Sequence, residues 1–177
     1  MTKLMIQTPL PTPTAMGMVH PAARTFLAPG RYALVSGAGD GPSALTAFDR
    51  ALFAAGAGNF NLVKVTSILP PHAVPGSILE LHSGEVVHAA LSNISSSKKD
   101  ELISAAVAVG VPTDPDVVGV LMEGSFHKTA SNAEEQVREM ARQALIDRGY
   151  DIARIESCAV EWRVQQIGSV VAAVLLW

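Results

Sequence analysis

The order of apolar and polar residues along the chain predicts more strands than helices. Short apolar runs bounded by Gly, Pro, Asn or Ser are typical of strands. Such runs occupy 31–36, 59–67, 78–91, 103–111, 117–122, 154–164 and 169–176. Two other segments, about 44–55 and about 131–148, repeat their apolar residues with the spacing of a helix. Because strands and helices do not alternate regularly, we expect an α+β layered sandwich, with mainly antiparallel β-sheet flanked by helices (αββα type).

Both predicted helices have start and stop signals. Ser43 can cap the first helix, which ends at Gly56 and Gly58. One face of this helix carries Leu45, Phe48 and Leu52. Ser131 and Glu134 form a capping box for the second helix, which Gly149 ends. Its inward face is expected to contain Val137, Met140, Ala141, Ala144 and Leu145.

Glycine, proline and polar residues mark the predicted loops. Gly37, Gly39, Gly41 and Pro42 indicate a loop after the first strand, and Gly37-Ala38-Gly39 is interpreted as a turn because a full dinucleotide-binding fingerprint is lacking. Pro70-Pro71 ends the predicted strand 59–67. The Asn, Ser and Lys content of 92–99 predicts a solvated loop. Residues 1–30 contain five prolines without periodicity, which predicts an irregular N-terminal arm.

Composition narrows the class of protein. A chain of 177 residues with 49% hydrophobic and 16% charged residues suits one buried core, so we expect a single domain at 31–177. The net charge of -3 gives no reason to expect a nucleic acid or an anionic membrane as partner. The lone Cys158 cannot form an internal disulfide, which favours the cytoplasm. The histidines do not have zinc-ligand spacing, and no metal is expected.

The most informative segment is 58–71, GNFNLVKVTSILPP. It closely resembles the self-cleavage region of the pyruvoyl-dependent arginine decarboxylases. The similarity continues through Ala47-Phe48-Asp49 with Ala51-Leu52, 102–110, Leu121-Met122-Glu123, 137–141, and Ile155-Glu156-Ser157 with Ala159-Val160-Glu161. A Thr-Ser pair alone is not specific, since such residues before prolines usually bond their own turn. The ordered set over most of 31–177 makes the resemblance specific.

The resemblance implies a chemistry for this segment. Ser67 would attack the Thr66 carbonyl and convert the peptide bond to an ester. Elimination and hydrolysis would leave a β chain of 1–66 and an α chain of 67–177 that begins with a pyruvoyl group, a covalent cofactor derived from Ser67. That group would serve as electron sink for the decarboxylation of L-arginine to agmatine. The family also implies a homotrimer with active sites between protomers.

The resemblance implies that Asp49 and Leu52 bind the substrate. Asp49 falls on the apolar stripe of its predicted helix, so its carboxylate would be partly desolvated and would need a cationic or hydrogen-bonding partner. The family implies the arginine guanidinium, whose planar fork fits a carboxylate. An internal link to Arg31 or Arg50 is an equally weighted alternative.

Two further residues have implied catalytic roles. Glu123 follows the apolar run 117–122, a setting that favours the protonated form of a carboxyl group, and by resemblance it would donate a proton after decarboxylation. Its alternative role is that of a solvated strand-end glutamate. Asn61 would polarise the scissile carbonyl, or else serve as a turn residue. In a regular strand Asn61 and Ser67 are roughly 20 Å apart, so the chain must bend or the two must meet across a subunit boundary.

The match is weaker at 76–100, where Glu80-Leu81-His82-Ser83 replaces an expected Pro-Thr-Ala-Tyr-Gly type of segment, and in the N-terminal arm. The departure at 76–100 bears on the pocket wall and on substrate preference. Two alternatives therefore stay open: a pyruvoyl decarboxylase of another amino acid, and a trimeric binding or scaffold protein that never cleaves itself.

Overall fold

The computed structural model describes residues 28–177, so nearly all of the expected N-terminal arm lies outside the described residues. The elements in chain order are β1 (Arg31–Asp40), α1 (Ala44–Ala54), β2 (Asn61–Lys64), β3 (Ile68–Leu69), β4 (Val74–Pro75), β5 (Val86–Ser96), β6 (Leu102–Pro112), β7 (Gly119–Phe126), α2 (Ala130–Asp147), β8 (Ile152–Arg163) and β9 (Gly168–Leu176). A short 3₁₀ helix at Ile78–Glu80 precedes β5. Within the described part, no helix combines the length and the apolar character needed to cross a membrane.

The strands form two sheets. Sheet 1 has the order β2-β5-β9-β1-β4, and sheet 2 has the order β3-β7-β6-β8. The long strands pair antiparallel throughout, and the parallel pairs are the short β4 with β1 and β2 with β5. Long antiparallel neighbours confirm that the sheet is mainly antiparallel.

Three apolar layers hold the sheets and helices together. Alternate residues of β6 and β9, such as Val107 and Val174, fill the space between the two sheets. Helix α2 covers the outer face of sheet 2 through Val137 and Leu145. Helix α1 covers the outer face of sheet 1. The layer order is therefore helix, sheet, sheet, helix, which confirms the αββα class.

The predicted loop at Gly37 and Gly39 is wrong, because both glycines lie inside β1. Helix α1 packs so closely on this strand that a Cβ on Gly37 would lie 2.3 Å from the Ala51 carbonyl oxygen. The helix also presents alanines to the sheet: Ala47 and Ala51 are fully buried, whereas Leu45 is 77% exposed. Small residues on both elements thus permit the contact, and the large apolar stripe of α1 is not its buried face.

Three other boundaries differ from the sequence prediction. β5 continues to Ser96 because 92–96 pair with β9, so the predicted loop at 92–99 is wrong over those residues. Helix α2 begins at Ala130, and Thr129 is its N-cap in place of Ser131. Met140 is 39% exposed, while the other four residues of the predicted inward face are buried. The predicted strand 78–91 is wrong before residue 86.

Candidate active site

The chain crosses from sheet 1 to sheet 2 at Thr66 and Ser67. On sheet 1, the Val65 N–H donates to the Ala89 carbonyl at 3.1 Å, and on sheet 2 the Leu121 N–H donates to the Ser67 carbonyl at 2.9 Å. The two residues between these anchors therefore span the gap between the sheets. β3 follows at once, and Pro70 ends it.

Ser67 has an unusual backbone conformation. Its φ of 24° is positive, a region that residues other than glycine rarely occupy, at a cost of about 1–3 kcal/mol. Its half-buried side chain is also held, because the Oγ donates a hydrogen bond to Glu123 Oε2 at 2.8 Å. A strained backbone and a fixed hydroxyl thus coincide at one residue of the crossing.

Glu123 lies inside β7 and not at its end. The strand continues to Phe126 because Gly124, Ser125 and Phe126 all pair with β6, so the expected strand end at residue 122 is wrong. Glu123 shares its strand face with Leu121, which is buried between the sheets. Its half-buried carboxylate accepts the Ser67 hydrogen bond from that face, so it is not a fully solvated strand-end glutamate.

Asn61 is placed away from the crossing. It opens β2 at the edge of sheet 1, and its Nδ2 donates to the Gly84 carbonyl at 2.7 Å. Among the described residues, no hydrogen bond joins Asn61 to Thr66 or Ser67. The bend that the spacing requires does exist, since the chain changes sheets between the two residues, but it does not bring them into contact.

Asp49 is exposed on α1, and the expectation that its carboxylate is partly desolvated does not hold within one chain. The internal alternatives are also wrong: Arg31 donates to the Pro75 carbonyl, and Arg50 donates to the Asp40 carbonyl. Within residues 28–177 Asp49 makes no side-chain hydrogen bond or ion pair. Its carboxylate is therefore available to a ligand or to another subunit.

Leu52, one turn further along α1, lines a cleft of ≈ 320 Å³ at the β2 edge of sheet 1. The lining residues are Phe48, Leu52, Phe60, Leu62, Lys64, Ala89 and Leu91. The cleft opens on the face of sheet 1 that α1 covers. The crossing residue Ser67 is bonded to sheet 2. One chain thus separates the two parts of the expected site.

Sequence reasoning missed two polar residues near these features. Lys64 lines the apolar cleft, and its position two residues after Leu62, on the same face of β2, was the available signal. Ser92 is buried inside β5, and no signal marked it because 92–99 was interpreted as loop. No three His, Cys, Asp or Glu side chains of residues 28–177 are grouped as a metal site requires.

The fold is an αββα sandwich, and at the crossing between its sheets a serine with a strained backbone has its hydroxyl bonded to a carboxylate. This arrangement is suited to a protein that reacts at its own backbone. The family model for pyruvoyl-dependent arginine decarboxylase matches residues 31–177. Pyruvoyl-dependent arginine decarboxylases from Methanocaldococcus jannaschii and Methanococcus aeolicus are each 40% identical over 159 residues, which cover 90% of this chain and 96% of each relative. The chain belongs to the pyruvoyl-dependent arginine decarboxylase family.

More distant proteins also match. The pyruvoyl-dependent arginine decarboxylase of Thermococcus kodakarensis is 29% identical over 153 residues, covering 86% of this chain and 97% of the relative. A solved pyruvoyl-dependent histidine decarboxylase aligns with 58% of this chain and 51% of its own, at 13% identity and a TM-score of 0.41. The fold assignment stands on the strands and helices described above.

Proposed function

We propose that this chain is the precursor of a decarboxylase that cleaves itself between Thr66 and Ser67 and then converts L-arginine to agmatine and carbon dioxide. The observation that carries the proposal is the hydrogen bond from Ser67 Oγ to Glu123, made by a serine with positive φ at the crossing between the sheets. Membership of the family supplies the substrate class.

The positions of the two side chains support a route for self-cleavage. Glu123 accepts the Ser67 hydroxyl proton as Oγ adds to the Thr66 carbonyl carbon, and the proton passes to the departing nitrogen, which leaves an ester. Loss of a Cα proton from residue 67 then breaks the Cβ–O bond and releases Thr66 as a carboxylate. Water replaces the nitrogen of the resulting dehydroalanine, ammonia leaves, and position 67 becomes a pyruvoyl group. Moving residue 67 out of its positive φ favours the forward direction.

The surroundings of position 67 fit a pyruvoyl group. The side chain is a half-buried serine beside an acid, and the Leu121 N–H fixes the carbonyl of the same residue. When present, that group supplies the electron sink that amino-acid decarboxylation requires. Glu123 lies beside this position and serves as the acid that protonates the carbon that has lost carbon dioxide.

Substrate binding falls to α1 in this proposal. The exposed Asp49 carboxylate, which has no partner within residues 28–177, pairs with the guanidinium of arginine, and Leu52 contacts the aliphatic part of the substrate in the apolar cleft. Asn61 polarises the scissile carbonyl after it exchanges its bond to Gly84.

The proposal extends to the assembly. Residues 31–177, the span of the family match, form the catalytic domain, and cleavage divides the precursor into a β chain of 1–66 and an α chain of 67–177. The processed chains form a homotrimer in the cytoplasm, with sites between protomers. Support comes from Asp49 and Ser67, which lie on different layers of one chain and so can meet more readily between two.

A denaturing gel with intact mass measurement tests the cleavage. The purified protein should give two fragments that meet at Thr66 and Ser67, and the larger should resist N-terminal sequencing because a pyruvoyl group has no amine. Ser67→Ala should remain one chain, whereas Ser125→Ala, an exposed serine of β7, should cleave normally. A single full-length band from the parent chain, or cleavage in Ser67→Ala, would contradict the proposal. Assays with other amino acids separate arginine from alternative substrates.

A further inference from the structure

Ser92 contains a buried hydroxyl without a hydrogen-bond partner. The residue is 5% exposed, and its Oγ is the one buried side-chain nitrogen or oxygen of residues 28–177 that lacks a partner. The other buried serines differ, since Ser104 Oγ donates to Phe126 and Ser169 Oγ bonds Ser95. An unpaired buried hydroxyl destabilises a fold, so its presence calls for another reason.

The strand pattern places this hydroxyl between the sheets. Ala90 and Ile94, two residues before and after Ser92 on β5, both belong to the apolar layer between the sheets. Side chains two apart on a strand share a face, so Ser92 faces the same layer. β5 lies against β7 across this layer, and Glu123 accepts the Ser67 bond from the corresponding face of β7.

The crossing segment leaves sheet 1 beside the strand that carries Ser92. The Val65 N–H bonds the Ala89 carbonyl of β5, three residues before Ser92. In the described part of the chain, neither the N–H nor the carbonyl of Thr66 makes a backbone hydrogen bond. Asn61, which we propose also polarises that carbonyl, must first give up its bond to Gly84.

Resting on the proposed self-cleavage, we propose that Ser92 is a catalytic residue of that reaction. When Ser67 Oγ adds to the Thr66 carbonyl carbon, the carbonyl electron pair moves to the Thr66 oxygen. Ser92 Oγ–H donates a hydrogen bond to this developing negative charge. This role accounts for the missing partner of Ser92, because the negatively charged oxygen that accepts its hydrogen bond forms only during the reaction. A donor that is unpaired in the precursor stabilises the transition state more than the ground state.

Ser92→Ala tests the inference through two measurements, the rate of cleavage and Tm. If Ser92 had only a structural role, both would fall together. Loss of one donor of this kind slows a reaction by about 10²- to 10³-fold, so intact mass spectrometry should show cleavage slowed to that extent. The same change introduced beside Ser67→Ala, which keeps the precursor in one piece, should leave Tm unchanged or raise it, because an unpaired hydroxyl is removed. Ser169→Ala is the matched control: its hydroxyl is bonded, so Tm should fall while cleavage stays normal.

Each outcome decides a different claim. If the parent chain does not cleave, the proposed function fails and this inference fails with it. If the parent cleaves and Ser92→Ala cleaves at the same rate, the inference alone is overturned. Slow cleavage accompanied by a fall in Tm like that of Ser169→Ala also overturns it, because Ser92 would then support the fold.

Discussion

Ser67 and Glu123 are 56 positions apart in the sequence and meet because β3 pairs with β7. The register aligns Ile68 with Val120, which brings residue 67 to the level of Leu121 and within reach of Glu123. A carboxylate bonded to a nucleophilic hydroxyl can accept its proton and later return one. One acid thereby serves both reactions in our proposal.

Glu123→Gln should impair both reactions. Glutamine keeps the size of the side chain and can still bond Ser67, but it cannot accept or donate a carboxylic proton. Cleavage should be slow, and the fraction that is cleaved should turn over arginine about 10²- to 10⁴-fold more slowly while still binding it. Cleavage is followed by intact mass, and kcat is then measured per cleaved chain.

Glu139→Gln is a matched control, because Glu139 is an exposed residue of α2 that bonds only Arg142 within the described part. It should cleave and turn over normally. A fully cleaved Glu123→Gln protein with near-normal kcat would show that another group supplies the proton.

Cys158 gives a pH prediction. Burial raises the pKa of its thiol from 9.0 to about 11. Between these values the unfolded chain loses the proton while the folded chain keeps it, so the free energy of unfolding falls as pH rises. This contribution is complete below about pH 9 and is lost by about pH 11; two pKa units correspond to about 2–3 kcal/mol.

Urea unfolding at several pH values checks this prediction, with Ser67→Ala as the single-chain parent. Adding Cys158→Ala should flatten the decline between pH 9 and 11, and the burial-raised pKa of Tyr32 leaves part of the decline in both proteins. Equal slopes with and without the thiol would refute the assignment.

The sequence could predict the site residues that lie within recognisable sequence motifs. Thr66, Ser67 and Glu123 came from an ordered resemblance, and the structure brings Ser67 and Glu123 together. The environment of Asn61 could not be predicted, because its bond to Gly84 depends on where the chain leaves β2. Ser92 was missed because a run of Asn, Ser and Lys is typical of a loop, and only the pairing with β9 makes it a strand.

At the scale of elements, the sequence predicted the existence of the strands and helices better than their ends. Glycine is usually a sign of a turn, but Gly37 lies in a strand. A glycine is needed there because the backbone of α1 occupies the space that a side chain would fill. Thr129 caps α2, and the N–H of Ala130 also donates to Glu161 of β8. The bond between Ala130 and Glu161 joins distant parts of the chain, so a local pattern cannot reveal it.

Gly37→Ala should therefore destabilise the fold. The added Cβ would lie 2.3 Å from the Ala51 carbonyl oxygen and 2.4 Å from the Ala55 nitrogen, so α1 must shift away from sheet 1. Overpacking of this kind costs about 1–3 kcal/mol. Gly30→Ala is the control, since a Cβ there meets nothing within 4 Å. Urea unfolding in the Ser67→Ala background measures both, and equal stabilities would contradict the close packing described for α1.

At the scale of the whole molecule, large apolar side chains of α1 and of the 3₁₀ helix are exposed. Leu45 and Phe53 of α1 are 77% and 70% exposed, and Leu79 is 90% exposed. Exposed large apolar groups favour contact with another protein surface. Asp49 lies on the outer layer of sheet 1, whereas Ser67 is bonded to sheet 2. Both observations favour our proposal that a complete site takes Asp49 from one protomer and Ser67 from its neighbour.

Mixing two inactive variants tests this arrangement. Asp49→Asn should cleave but lose most arginine turnover, because an amide cannot form the charged pair, and Ser67→Ala should neither cleave nor turn over. In a mixed trimer, the Asp49 of a Ser67→Ala protomer and the intact Ser67 of an Asp49→Asn neighbour together form a complete site. Random assembly of equal amounts leaves about a quarter of the sites complete, so co-expressed variants should recover about a quarter of parental activity. Mixing the separately purified variants without refolding should recover far less, which controls for contamination. If each site lies within one protomer, no combination restores it, and co-expression without recovery would contradict the shared site.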